Sequence, residues 1–114
     1  MKVLLFRDGQ DGVIQHLPGE YPWPELCDLL GGEIDTTPIN GRLALVTRRD
    51  MKALDLPQYY FFRRYGQADR PIYGDCAVIA VRADGTLTDI STFGMMQAAI
   101  AISMTCVRKG AWNG

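Results

Sequence analysis

The stretch CDLLGGEIDTTPING, residues 27 to 41, decides the fold, because its glycine pair is either a phosphate cradle or the stop signal of a short helix. A phosphate loop sets its glycines between a strand and the N-terminus of the following helix, where free N–H groups and the helix dipole meet the anion. Here the order is reversed. Leu29 and Leu30 follow Leu26 at the three- and four-residue spacing of one helical face, and Pro24 suits the first position of that helix. The glycines therefore face the C-terminal end, where outward carbonyls repel phosphate. Gly31 reads as the left-handed cap residue, and Gly32 gives room to turn into a strand.

Working outward, EIDTTPI and RLALVTR flank Asn40-Gly41, the dipeptide of a type I′ hairpin turn. Pro38 marks its strand as an edge or bulged strand, whereas RLALVTR suits a strand covered on both sides. Upstream, KVLLFR and VIQHL flank DGQDG, a second hairpin pattern, with Val3 and Leu5 on one face. Downstream, residues 49 to 73 carry mixed signals and read as a long excursion with a short helical turn. DCAVIAVR is a strand ending at Asp84-Gly85, TLTDIS a further short strand, and a helix runs from Ser91 or Thr92 to about Val107. The order predicts an α+β domain over residues 1 to 107, followed by a tail, 108 to 114. Its mostly antiparallel sheet has about five or six strands, with a short helix after the first hairpin and a long C-terminal helix packed on the sheet.

At 114 residues, 47% of them apolar, the chain can bury one core. Lys plus Arg (12) nearly balance Asp plus Glu (13), which leaves no broad field for a nucleic-acid backbone or an anionic membrane. Cys27, Cys76 and Cys106 are widely separated and read as reduced core residues of a cytoplasmic protein. The opening MKVLLFRDG is too short in apolar length for a secretory signal, and the apolar run from Phe93 to Val107 is too short for a membrane span.

Several segments together resemble a known family. MKVLLF, ELCDLLGGEIDTTPI, RLALVTRRD, Leu56-Pro57, IYGDCAVIAV and LTDIS occur in the order seen in domain-of-unknown-function family 3846, small proteins of phages and conjugative elements. The likeness covers about residues 1 to 92. Asp35 stands where that family tends to have Glu, and PQYY replaces its Pro-Asn-Arg segment. The resemblance implies a mobile-element origin and supplies no catalytic residues. Residues 92 to 114 are similar to the opening of a second small phage family, which includes sponges for immune signalling nucleotides. Phe93, Gly94, Arg108, Lys109 and Gly110 match in spacing, with Ala111 interposed before Trp112. The matching piece is too short to carry a ligand pocket over, and it leaves a small nucleotide as an alternative partner.

The chemistry-bearing residues are few. His16 is the only histidine and reads as a solvated strand residue; with scattered cysteines it makes neither a zinc ligand set nor a triad. No cofactor is expected, and no enzymatic activity. YYFFRRY, residues 59 to 65, is the most unusual stretch. Its aromatic and arginine side chains suit a partner-binding patch, can stack bases, or can divide between core (Tyr60, Phe61 or Phe62) and core edge. Arg48, Arg49 and Arg70 can lie nearby. Two stripes mark the C-terminal helix: Phe93, Met96, Ile100, Met104 and Val107, and Met95, Ala99, Ile102 and Cys106. One face covers the sheet; the other needs cover, from a second copy or from a curved sheet.

The reading is a non-catalytic cytoplasmic protein of a phage or mobile element that captures a host protein, an anti-defence role. The partner-binding candidates are Tyr59, Tyr60, Arg63, Arg64, Tyr65 and Arg70, with Arg108, Lys109 and Trp112 second. Self-association is assigned to Met95, Ala99 and Ile102. A nucleotide-signal sponge and a nucleic-acid accessory protein are the alternatives.

Overall fold

A computed structural model describes residues 1–18, 21–50, 54–64 and 66–104. The expected hairpins form. Strand β1 (Lys2–Phe6) pairs antiparallel with β2 (Val13–His16), and β3 (Ile34–Pro38) with β4 (Leu43–Arg48). Between them α1 (Trp23–Leu30) buries Leu26 and Leu30 and ends at Gly31, whose φ of 89° is left-handed. Gly31 and Gly32 both donate their N–H to the Cys27 carbonyl, so the pair closes the helix as its order in the chain implies. Pro24 is the second residue of the helix rather than the first.

The turns exchange roles. Asp8 and Gly9 both have positive φ, and Gln10 N–H donates to the Arg7 carbonyl at 2.8 Å, so the type I′ geometry lies in the first hairpin. Asn40 and Gly41 do not adopt positive φ. Instead the Asn40 side-chain oxygen accepts from the Arg42 and Leu43 N–H groups, and the Ile39 N–H donates to the Leu43 carbonyl. A side-chain-closed turn replaces the expected I′ turn.

Strand β7 (Cys76–Val81) lies between β1 and β4, giving the order β2-β1-β7-β4-β3, with the short β8 (Leu87–Thr88) also paired to β7. Pro38 accordingly sits on an edge strand. Among its described residues the excursion holds no full helix, and its expected helical turn is matched by one bond, from the Leu54 N–H to the Asp50 carbonyl at 3.2 Å. It supplies β5 (Gln58–Phe62) and β6 (Arg70–Tyr73), an antiparallel pair in a second, three-stranded sheet. Its third strand is the main departure from expectation. Helix α2 (Thr92–Ala101) stops well before Val107, and Ile102–Met104 becomes β9, paired to β5 with Ile102 opposite Phe62. Short apolar runs rich in β-branched residues suit either state, and an open strand edge decides in favour of pairing. Among the described residues nine strands thus form two sheets.

Side-chain alternation builds the core as two clusters. Val3, Leu5, Val46, Ala77 and Ile79 meet Leu26 and Leu30 of α1 on one face of the larger sheet. On the other face Leu4, Phe6, Leu45 and Val78 meet Tyr60, Phe62 and Ile72 of the smaller sheet and Ala98 and Ala101 of α2. Strand β7 is buried on both sides, which is why its sequence reads as a continuous apolar run.

Candidate functional sites

Strand alternation divides the segment 59 to 65. Tyr60 is wholly buried, edge-on to Phe6, and its hydroxyl donates to the Gln10 carbonyl at 2.8 Å. It is a core residue and offers no contact surface, which corrects its assignment to the partner patch. Phe62 is buried beside it, while Tyr59 is half-buried against the same core. Arg64 donates to the Ala68 carbonyl at 3.0 Å and so braces the following loop. Arg63 is exposed, and its backbone N–H donates to the carbonyl of Ala101, which places it at the C-terminal end of α2. Tyr65, Arg108, Lys109 and Trp112, together with Cys106 and Val107, lie outside the described residues.

Helix α2 reverses the expected division of its faces. Gly94, Ala98 and Ala101, at spacings of four and three, face the sheet. A Cβ on Gly94 would stand 3.1 Å from Ile90 Cγ1 and 3.4 Å from Leu43 Cδ2, so the close approach depends on the missing side chain. The larger residues point outward: Phe93 is 69% exposed, Met96 61% and Ile100 72%. Ile102, in β9, is only 4% exposed, yet it lines one groove with Met95 and Ala99. The same groove is lined by Val13 and Ile14, the exposed apolar residues of edge strand β2. Helix face and groove adjoin on α2; Asp11 is the charged residue that lines the groove, and Arg63 follows at the C-terminal end of the helix.

A second candidate lies in a cleft of about 280 Å³ between the sheets, lined by Asp35, Thr37, Thr47, Arg48, Arg49, Arg70 and Pro71. Arg70 stacks over the Phe62 ring at 5.7 Å and donates from Nη2 to Thr37 Oγ1 at 3.3 Å. Its Nε is buried and has no hydrogen-bond partner, and Arg70 makes no ion pair among the described residues. Arg49 is held at 2.9 Å by Asp35 and at 3.0 Å by Glu33, and the Asp35 hydrogen bond, with both carboxylates, holds its guanidinium above the usual range. Arg48 alternates to the other face, pairs with Asp50 and lies against Gly31 and Gly32 at the C-terminus of α1, where a cation is favoured.

Cys76 is buried, and desolvation pushes its thiol far above its ordinary pKa. Among the described residues no cluster of three or more histidine, cysteine or carboxylate side chains could hold a metal, and no helix is long and apolar enough to cross a membrane. No family model, curated protein or solved structure matches the chain.

Proposed function

We propose that the protein is a non-catalytic binding protein of a phage or mobile element that captures a host protein and so inhibits a host defence system. The observation that carries the binding surface is the outward face of α2, where Phe93, Met96 and Ile100 stand about two-thirds exposed on a helix without a charged residue. Interface centres are apolar, aromatic and methionine-rich, with charge kept to the rim, and Arg63 occupies such a rim position. The mobile-element origin and cytoplasmic location rest on the sequence resemblance and on the reduced-cysteine reading. Affinity capture from host lysate tests the proposal. One stoichiometric host protein is expected on the wild type and on Tyr59→Ala, and its loss on the triple variant Phe93→Ser/Met96→Ser/Ile100→Ser. Undiminished capture by a folded triple variant would overturn the surface, and a measured turnover on a nucleotide or nucleic acid would overturn the non-catalytic reading.

A sponge for a small nucleotide-like signal is the second reading. One observation favours it: an arginine, Arg70, stacked on an aromatic ring beside two threonines in a cleft.

A further inference from the structure

We propose that the cleft between the two sheets is an oxyanion site, in which Arg70, Thr37 and Thr47 bind a single phosphate or carboxylate group. Antiparallel register sets Thr47 directly opposite Asp35, and alternation puts Thr37 on the same face of β3 as Asp35. That face is turned toward β6, so Thr37, Thr47 and Arg70 line the cleft from three strands, beside the Asp35 carboxylate that Arg49 holds at 2.9 Å. The pairing of the charges points to an anion. Arg48 and Arg49 are compensated by Asp50, Glu33 and Asp35, whereas Arg70 has no carboxylate partner among the described residues. Its guanidinium is also partly desolvated, since Nε is buried. An uncompensated, desolvated cation is unfavourable by itself and interacts more strongly with an incoming anion than a solvated one. Stacking on Phe62 and the bond to Thr37 fix the fork in one orientation, which suits planar recognition of an oxyanion.

Size limits the ligand. About 280 Å³ is just below the range of roughly 300 to 1,000 Å³ usual for whole-ligand pockets. A phosphate or carboxylate, free or at the end of a larger molecule, fits inside; a whole dinucleotide does not. The site rests on the same cleft as the second reading above but shares no residue with the outward face of α2, so its failure leaves the capture surface untouched.

Titration of the full chain with inorganic phosphate and, separately, acetate, read by thermal shift and by backbone amide shifts in NMR, tests the site. Saturable binding of at least one anion is expected, with the Thr37 and Thr47 amides moving. Arg70→Gln should weaken it by about tenfold or more, as loss of a charged hydrogen-bond pair implies. Thr37→Val, isosteric and on an edge strand, should weaken it less while leaving the fold intact, and Arg82→Gln should leave it unchanged. Preference for phosphate would assign a phosphate ester, and preference for acetate a carboxylate. Absence of saturable binding, or equal binding by the wild type and a folded Thr37→Val and Arg70→Gln, would overturn the proposal.

Discussion

The Asn40 side-chain oxygen accepts from Arg42 N–H at 2.7 Å and Leu43 N–H at 3.0 Å, so one atom organises the turn between β3 and β4. Asn40→Ala removes both bonds and should lower unfolding free energy by about 1 kcal/mol. Gly41 has no positive φ, and a Cβ there would meet nothing within 4 Å. Gly41→Ala should therefore change stability by less than about 0.5 kcal/mol, a contrast that urea denaturation of the two variants measures. Carboxylates act at this scale too. Hydrogen bonds from Thr86 hold Asp84 below the usual carboxylate range, and the Lys2 N–H does the same for Asp89. Both folded pKa values lie below the unfolded ones. Their stabilisation is therefore present above the ordinary carboxylate pKa, about 3.9, and lost as pH falls through the lower folded values. The double variant Asp84→Asn/Asp89→Asn should show a shallower loss of stability below about pH 4 in denaturant midpoints taken at successive pH.

Helix α2 is the element whose packing is least intuitive, because its small residues make the contact and its large ones do not. Ala98 is fully buried, so Ala98→Leu should overpack the interface and cost about 1 to 3 kcal/mol. Ile100→Ser, on the outward face, should shift stability by less than about 0.5 kcal/mol. Thermal unfolding of the pair distinguishes this packing from one in which Ile100 is core. The same helix shows what was legible in the chain. Local signals such as the Gly31 cap, Pro38 at an edge and the apolar run of β7 act through neighbouring residues and can be read from them. The stop of α2 at Ala101 cannot. It depends on β5 offering a free edge to residues 102 to 104, a partner some forty residues away in sequence. The choice of face likewise depends on how closely Leu43 and Ile90 approach Gly94.

For the molecule as a whole, the candidate sites were only half legible. Arginine-rich and aromatic composition marked Arg63 and Arg70, but strand alternation took Tyr60 into the core, and Thr37 and Thr47 carry no signal until β6 faces them. The exposed face of α2 gives the last prediction. Phe93, Met96 and Ile100 are already about one-third covered, so a two-fold dimer that buried all six side chains would gain roughly 6 to 12 kcal/mol. Association costs an estimated 4 to 15 kcal/mol. The two ranges overlap, so any self-association through this face is expected to be weak and to give way to a partner that adds polar or charged contacts. The homodimer assigned to Met95, Ala99 and Ile102 is thus proposed on Phe93, Met96 and Ile100 instead. Light scattering on a size-exclusion column should show a monomer at low micromolar concentration and rising average mass at high micromolar concentration, with the rise abolished in Phe93→Ser/Met96→Ser/Ile100→Ser. A strictly monomeric wild type would leave the face to a heterologous partner alone, and a tight dimer unaffected by the triple variant would place self-association on another surface.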